Sequence, residues 1–429
     1  MKKVQEYCFL LVGFLLGSVG ILYGKTFHYC LLLMVLFYIC TNWNSFIGQL
    51  KQGKGYILVL VFYLVYISLQ TGILFFYTEI GDKPHYGIFE NILLNFILVP
   101  IYTLTLKGKL TPKLLKRFLL LFCLGCVLLN AYIAFDLVMK GNITGARAAM
   151  EFLYTSRFGE NKMSFLGGNL LLEPQAFNIA LAALISYVMI YVCRHRGMKI
   201  SCGVMFIFLS IFLSFTVTKA GLLAFLAGFV LMNIYILKQR LWRIRLMLLI
   251  GIFLLISGVF VFDGFREKYK ERADEIVVEL QNVKHGVYAG GTIAPRVGFV
   301  REAYMHIDEF GLWGLGVFAK NRIKEWLQNS DAGLGEYVNV HNTFLHYWIQ
   351  GGILGMGVVI FLFGAPFYVM VKNKKKSYFI TSIIVLLIIA NSTCILLDLN
   401  NSRLIIVLML SMFYFYSDIW KQLEDSIAG

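Results

Sequence analysis

Charged residues are scarce in this chain of 429 residues. Asp, Glu, Lys and Arg make up 15% of the sequence, whereas soluble domains carry roughly 25%. Hydrophobic residues reach 59% and aromatic residues 16%, more apolar surface than a soluble fold can bury. With only 6 prolines and 39 glycines, the composition also excludes disordered and collagen-like chains. The sequence therefore predicts an all-α polytopic membrane protein.

Apolar runs long enough to cross a bilayer recur along the whole chain. A hydrocarbon core of about 30 Å needs roughly 20 apolar residues per helix, and on that criterion we predict about 12 transmembrane helices. They cover 7–24, 27–43, 56–77, 88–106, 118–139, 173–193, 202–218, 220–237, 246–263, 342–370, 378–397 and 404–420. The run at 27–43 is short, and 202–237 is also compatible with one bent segment divided at Lys219.

The basic residues indicate the orientation of these helices. Lys and Arg outnumber Asp and Glu by 39 to 24, an excess that in a soluble protein suggests a nucleic-acid partner. Here 21 basic residues fall on one side of the predicted membrane, which the positive-inside rule identifies as cytoplasmic. They occupy 2–3, 51–54, 107–117, 194–199, 238–245, 372–376 and Lys421. We therefore predict cytoplasmic termini and no nucleic-acid partner.

Two connections on the predicted outer face are long, 140–172 and 264–340. Long loops on a rigid bundle commonly carry functional sites. The larger one, between predicted spans 9 and 10, has a helical pattern at 265–284, a glycine-rich break at 289–291 and a second helical pattern at 296–310. We treat 1–429 as one integral membrane domain with these two outer loops.

Metal and disulfide chemistry have little support in the sequence. All eight cysteines lie in or at the edges of apolar spans, so no disulfide framework is implied. Cys123 and Cys126 form a C-x-x-C inside a span, which we interpret as packing. No cluster has metal-ligand spacing, and no D-x-D signature for a nucleotide-sugar donor is present. We expect neither a metal nor another cofactor.

The His341–Asn342 pair lies where the larger outer loop enters a membrane helix. The positive end of a helix disfavours imidazolium, so a neutral histidine there can act as a general base. The alternative is an interfacial histidine that caps the helix. Nine residues separate Asn342 from Gly352, and two residues separate Gly352 from Gly355. Such glycines allow another helix to approach closely.

This pattern, His-Asn, nine residues, Gly, two residues, Gly, resembles the signature of the O-antigen ligase and O-antigen polymerase family of bacterial envelope glycosyltransferases. A second resemblance precedes it in the loop, where Arg296 and a helical pattern lead to a turn with Gly314 and Gly316. The resemblance implies a GT-C-like fold and a catalytic role for His341. It also implies that Arg296 binds diphosphate, for which its planar guanidinium is suited. The alternative for Arg296 is a solvated or salt-bridged loop residue.

Further candidates for diphosphate or substrate binding are basic residues near the outer face, together with two polar residues at helix starts. Lys219 stands where the family usually has arginine, so it would act as a point charge without bidentate geometry. Glu173 opens a predicted span just before Pro174, a pairing similar to repeat-unit polymerases more than to ligases, although helix capping also explains it. The remaining candidates are Arg147, Arg157, Arg301, Arg403 and Asn342.

The resemblance implies a metal-independent, inverting transferase that acts on an undecaprenyl-diphosphate-linked oligosaccharide at the outer leaflet of the bacterial cytoplasmic membrane. We favour a polymerase that joins repeat units into O-antigen or capsular polysaccharide. The alternatives are an O-antigen ligase, which transfers finished polymer to lipid A-core, and a multi-span lipid-linked sugar flippase. Implied partners are membrane lipid, a flippase and a chain-length regulator.

Overall fold

The computed structural model describes the residues 2–18, 24–77, 84–143, 148–149, 152–153, 162–163, 168–169, 172–216, 218–238, 263–291, 293–373 and 377–426. Its helices are α1 (Lys2–Gly17), α2 (Gly24–Thr41), α3 (Trp43–Tyr77), α4 (Gly87–Thr105), α5 (Pro112–Lys140), α6 (Leu172–Val192), α7 (Arg196–Phe215), α8 (Lys219–Lys238), α9 (Asp263–Lys284), α10 (Ala294–Met305), α11 (Ile307–Phe310), α12 (Ala319–Asn329), α13 (Thr343–Lys372), α14 (Tyr378–Thr393), α15 (Asn400–Phe415) and α16 (Ser417–Asp425). A two-residue ladder joins β1 (Lys162–Met163) to β2 (Gly168–Asn169).

Within the described part, six helices are long and apolar enough to cross a membrane: α3, α4, α5, α6, α7 and α13. The pair α15 and α16, bent by 86°, gives a seventh if it is one span, and shorter apolar helices occupy His28–Thr41, Lys219–Ile234 and Tyr378–Thr393. The protein is thus a helical polytopic membrane protein, while the count of 12 spans stays a prediction. Almost all of the ninth predicted span, 246–263, lies outside the described residues.

Helices α6 and α15 form the centre of the bundle. Every residue from Ala176 to Met189 on α6 is buried, and so is every residue from Leu404 to Phe413 on α15. A helix that is apolar on all sides is stable where other helices surround it, and α15 contacts α2, α4, α6 and α13. Helix α6 carries Glu173 at its start, and α15 packs against both α6 and α13, so these two central helices position the helix ends at which the site lies.

The last predicted span is interrupted. We predicted one segment at 404–420, but α15 ends at Phe415 and α16 turns away by 86°. The Glu424 side chain on α16 is buried and accepts hydrogen bonds from the Ser377 hydroxyl and from the Tyr378 and Phe379 backbone N–H groups at the start of α14. A carboxylate at a helix N-terminus satisfies backbone donors that have no partner within the helix, which explains why α16 folds back.

Helix α13 is broken at Gly351 and Gly352, where the backbone leaves the helical region. The turn 311–316 of the larger outer loop fills this break. The Leu315 N–H donates to the Ile349 carbonyl at 2.8 Å, and the Ile353 N–H donates to the Leu312 carbonyl at 3.2 Å. These two bonds replace the helical bond between residues 349 and 353, so both of these backbone groups have a partner at the break.

The described part of the larger outer loop has a hydrophobic core of its own, built from Phe299, Phe310, Ile323, Trp326 and Leu334. Leu345 and Ile349 of α13 belong to the same cluster, so the loop is packed onto the outer end of that helix. The pattern at 265–284 is confirmed as α9. The pattern at 296–310 is divided into α10 and α11 at His306, which has φ −104° and ψ 16°.

Candidate functional site at the outer end of the bundle

His341 lies in the strained turn that precedes α13. Its φ is +42°, a left-handed conformation that costs a non-glycine residue free energy unless neighbouring contacts enforce it. The His341 N–H donates to Asn339 Oδ1 at 3.1 Å. The imidazole stacks on the Phe299 ring with centroids 5.7 Å apart and meets the Tyr337 ring edge-on at 6.0 Å. These contacts fix the orientation of the imidazole ring.

Glu173, in the first turn of α6, faces the same histidine. Its Oε1 lies 3.8 Å from His341 Nδ1, and about a third of each side chain is exposed. A carboxylate beside one imidazole nitrogen favours a proton on that nitrogen and leaves the other as the acceptor. The two residues lie 168 positions apart in the sequence, and helix α14, which contacts both α6 and α13, brings them together.

Arg296 reaches the site from the first turn of α10. Its Nε and Nη2 donate to the Thr393 carbonyl, at 3.2 and 3.1 Å, where α14 ends. Phe299, which stacks on His341, is three residues further along the same helix, and residues at this spacing share a helix face. Helix α10 therefore presents both a cation and an aromatic ring to the histidine.

Cys394 completes the cluster from the end of α14. Its thiol is buried and donates to Glu173 Oε2 at 3.0 Å. The Thr343 hydroxyl lies 2.9 Å from both Asn391 Oδ1 and the Cys394 carbonyl, which fastens the start of α13 to the end of α14. Asn342 is the N-cap of α13, with its Oδ1 accepting from the Leu345 N–H at 3.0 Å. The histidine, glutamate and thiol thus have fixed relative positions.

The electrostatics of the cluster favour a neutral histidine. Burial lowers the pKa of His341 below its usual 6.5, the Glu173 carboxylate opposes this shift, and the Arg296 cation reinforces it. Because the pKa is lowered, the imidazole is unprotonated at neutral pH and can accept a proton.

Lys219 is oriented toward the outer loop. Its Nζ lies 3.5 Å from Glu279 Oε1 on α9. The other oxygen of this buried carboxylate accepts from the backbone N–H groups of Ile293 and Ala294, at the start of α10. Glu279 therefore links α8, α9 and the helix that carries Arg296, and Lys219 supports the position of that helix by balancing the buried charge.

Arg301 and Arg403 do not lie with His341 in one cluster of contacts. Arg301 pairs with Asp331 at 2.8 Å and with Glu302 at 3.4 Å, and this pairing lowers the pKa of the Asp331 carboxyl. Arg403 is completely buried; its guanidinium donates to the Leu397 and Asp398 carbonyls and lies 3.6 Å from the Asp398 carboxylate. Both contacts indicate structural roles, and the substrate roles proposed from the sequence stay predictions.

The remaining candidates are two arginines and four glycines. Arg147 and Arg157 lie outside the described residues. Gly314 and Gly352 face each other where the turn 311–316 enters the break in α13. Gly316 ends that turn near the Gln70 and Leu74 side chains, and Gly355 packs against the Tyr347 carbonyl. One glycine of each motif is therefore part of the same structural joint.

Together these features define a polytopic membrane protein with a histidine–carboxylate–arginine site at the end of its bundle that we predict to face outward. The family described as O-antigen ligase matches residues 204–360, a segment that contains Lys219, Arg296 and His341. This match supports the resemblance seen in the motifs over the part of the chain that carries them. No curated protein matches it.

Sequence reasoning missed four residues of this region: Phe299, Tyr337, Glu279 and Cys394. The spacing of Phe299 three residues after Arg296 was a usable signal for a shared helix face. Cys394 looked like one packing cysteine among eight, and only the end of α14 places it beside Glu173.

Proposed function

We propose that this protein is a polymerase that joins polyprenyl-diphosphate-linked oligosaccharide repeat units into O-antigen or capsular polysaccharide. The contact between His341 and Glu173 carries the proposal, because it supplies an oriented base within a domain of the matching family. His341 is the general base and takes the proton of an acceptor hydroxyl. The resulting oxygen nucleophile attacks the anomeric carbon of the donor sugar.

The bond from the anomeric carbon to the diphosphate oxygen breaks in the same displacement, so the anomeric configuration inverts. Negative charge then develops on the departing lipid diphosphate. Arg296, anchored at the Thr393 carbonyl, supplies a fixed positive charge beside the base, and preorganised cations of this kind stabilise such a leaving group. Lys219 holds α10 in place through Glu279. The proposed reaction uses no metal.

We favour polymerase over O-antigen ligase because of Glu173. The Glu-Pro pair that resembles repeat-unit polymerases has its carboxylate 3.8 Å from His341, in contact with the proposed base. A ligase would use the same base with lipid A-core as acceptor. The flippase alternative receives less support, because the polar cluster lies at the outer end of the bundle, where Glu173 opens α6 and Asn342 caps α13, whereas transporters bind substrate near the midplane.

This function requires a location at the outer leaflet of the bacterial cytoplasmic membrane, with both termini cytoplasmic. The donor is undecaprenyl-diphosphate-linked oligosaccharide. A flippase would deliver this donor to the outer leaflet, and a chain-length regulator would limit the product.

Replacement of His341 by Ala tests the proposal. We expect His341→Ala to be inserted and folded in the membrane but to polymerise lipid-linked repeat units about 10²–10⁴-fold more slowly, the usual contribution of a general base. His285→Ala, on an exposed loop residue, is the matched control. The readout is the size distribution of the surface polysaccharide, in which a polymerase defect leaves single repeats and a ligase defect leaves none. Wild-type chain lengths in His341→Ala would disprove the base assignment.

A further inference from the structure

The side chains of Glu173, His341 and Cys394 form a cluster with the donor atoms of a zinc site. One ligand atom from each residue lies within 4.8 Å of the other two. The measured separations are 3.8 Å from His341 Nδ1 to Glu173 Oε1 and 3.0 Å from Cys394 Sγ to Glu173 Oε2. With metal bonds of about 2.0–2.3 Å, tetrahedral geometry places ligand atoms about 3.4–3.6 Å apart. Small side-chain rotations are therefore sufficient to bind an ion.

The donor set selects the class of metal. A thiolate, an imidazole and a carboxylate suit zinc, whereas magnesium and calcium prefer oxygen ligands alone. The ligands come from the start of α6, the turn before α13 and the end of α14, and the Thr343 hydroxyl fastens two of these elements together. Glu173 and His341 are each about one-third exposed, which gives an ion access from the outer side.

We propose that this cluster binds Zn²⁺ from the outer side and that the bound ion reversibly inhibits the enzyme. Binding displaces the proton of the Cys394 thiol to solvent and forms a thiolate–zinc bond. The two negative ligands, Glu173 and the Cys394 thiolate, outweigh the positive charge of the neighbouring Arg296. The ion takes the lone pair of His341 Nδ1, the nitrogen that faces Glu173, and the proton of that nitrogen moves through solvent to the other ring nitrogen. The imidazole then has no lone pair with which to accept the proton of the sugar hydroxyl.

Metal binding itself is tested with Co²⁺, whose thiolate complexes absorb in the near ultraviolet. We expect full-length protein in detergent to develop this band on Co²⁺ titration and to lose it on addition of Zn²⁺. Cys394→Ala removes the sulfur ligand, so we expect no thiolate band. We also expect the variant to bind Zn²⁺ at least roughly tenfold more weakly than the wild-type protein. Cys193→Ala is the control, because Cys193 and Cys202 form a separate pair with sulfur atoms 3.9 Å apart. A band of equal intensity in Cys394→Ala would overturn the site.

Inhibition is measured separately as polymer formation in proteoliposomes. This consequence rests on the proposed role of His341, whereas the spectroscopic test does not. We expect Zn²⁺ to inhibit the wild-type protein and a chelator to restore activity, while Cys394→Ala requires roughly tenfold more Zn²⁺ for the same inhibition. Stimulation by Zn²⁺, or equal inhibition of both proteins, would overturn the inhibitory site. An active His341→Ala variant that lacks the Co²⁺ band would refute the general base but support the metal site.

Discussion

The chemistry of His341 is decided by its neighbours. Its imidazole is held by Phe299 and Tyr337, with a carboxylate on one side and an arginine charge nearby. Burial and Arg296 lower the pKa of the histidine, and Glu173 partly opposes them. At a given mildly acidic pH, a larger fraction of this imidazole is therefore neutral than of the same imidazole in water.

The pH dependence of polymer formation follows from that shift. A base is active when unprotonated, so activity should fall with decreasing pH through the pKa of His341, with a midpoint below 6.5. Glu173→Gln removes the charge that raises this pKa, so the acid limb should move to still lower pH. The measurement is the pH–rate profile of both proteins in proteoliposomes. A midpoint above 6.5 in the wild type, or an upward shift in Glu173→Gln, would contradict the assignment.

Arg403 provides a second prediction at the residue scale. It is fully buried and lies against Asp398. Burial raises the pKa of the Asp398 carboxyl, but the charges of its neighbours, chiefly His346 and Arg403, together lower that pKa by more, so it falls below its usual value. Arg403→Met leaves the Asp398 charge and two carbonyls without this partner. We expect a destabilisation of about 2–3 kcal/mol, less than for a fully buried pair because Asp398 is partly exposed.

Thermal unfolding in detergent measures the effect of Arg403→Met. Arg322→Met, which breaks a pair with the exposed Glu325, is the control and should unfold close to the wild-type temperature. Wild-type stability of Arg403→Met together with loss of substrate binding would instead favour a substrate role for Arg403.

At the scale of helices, buried carboxylates join separate helices. Glu279 on α9 accepts from backbone N–H groups at the start of α10, and Glu424 on α16 does the same at the start of α14. Each has a lysine nearby, Lys219 at 3.5 Å and Lys421 at 3.6 Å. A helix N-terminus stabilises a carboxylate and the carboxylate satisfies its N–H groups, so each contact fixes one helix against another.

The joint between the outer loop and α13 depends on glycine. Gly352 has φ 59° and ψ −149°, and a Cβ added there would lie 2.1 Å from the Leu312 carbonyl oxygen. We expect Gly352→Ala to destabilise the protein by about 1–3 kcal/mol from backbone strain alone and to displace the turn 311–316. Gly357→Ala, in the same helix with open space around it, should be tolerated. The test compares the unfolding temperatures of the two variants in detergent and the amount of polymer that each variant forms. Equal unfolding temperatures and equal polymer formation would contradict the role of Gly352.

At the scale of the whole molecule, the distribution of charge indicates the orientation. The larger outer loop, 264–340, is nearly neutral, with ten basic and eleven acidic residues, and the predicted cytoplasmic connections hold most of the positive charge. The formal net charge of +15 therefore indicates membrane topology. A diphosphate would be bound by a few individual basic side chains and not by the overall charge of the protein.

The orientation can be tested in intact cells with a membrane-impermeant maleimide. We expect Glu309→Cys, exposed on α11, to react from outside, and Lys199→Cys, exposed near the start of α7, to react only after permeabilisation. The wild-type protein measures the background from its own cysteines. Reaction of Lys199→Cys in intact cells would reverse the predicted orientation.

The sequence by itself determined the class of protein and the motifs around His341 and Arg296, and its charge bias predicts an orientation in the membrane. These features are local: apolar runs, charge bias and fixed spacings depend on residues close together in the chain. It also predicted the break between α7 and α8 near Lys219 and the helix α9.

Only the tertiary structure decided which residues meet. Glu173, Cys394 and His341 come from three helix ends separated by more than 50 residues in the sequence, and no periodicity predicts such a contact. The turn 311–316 enters α13 because two glycines remove the Cβ atoms that would block it. The pairing of Lys219 with Glu279 and the burial of Arg403 likewise depend on packing, since a charge that looks available in sequence is neutralised where the fold supplies a partner.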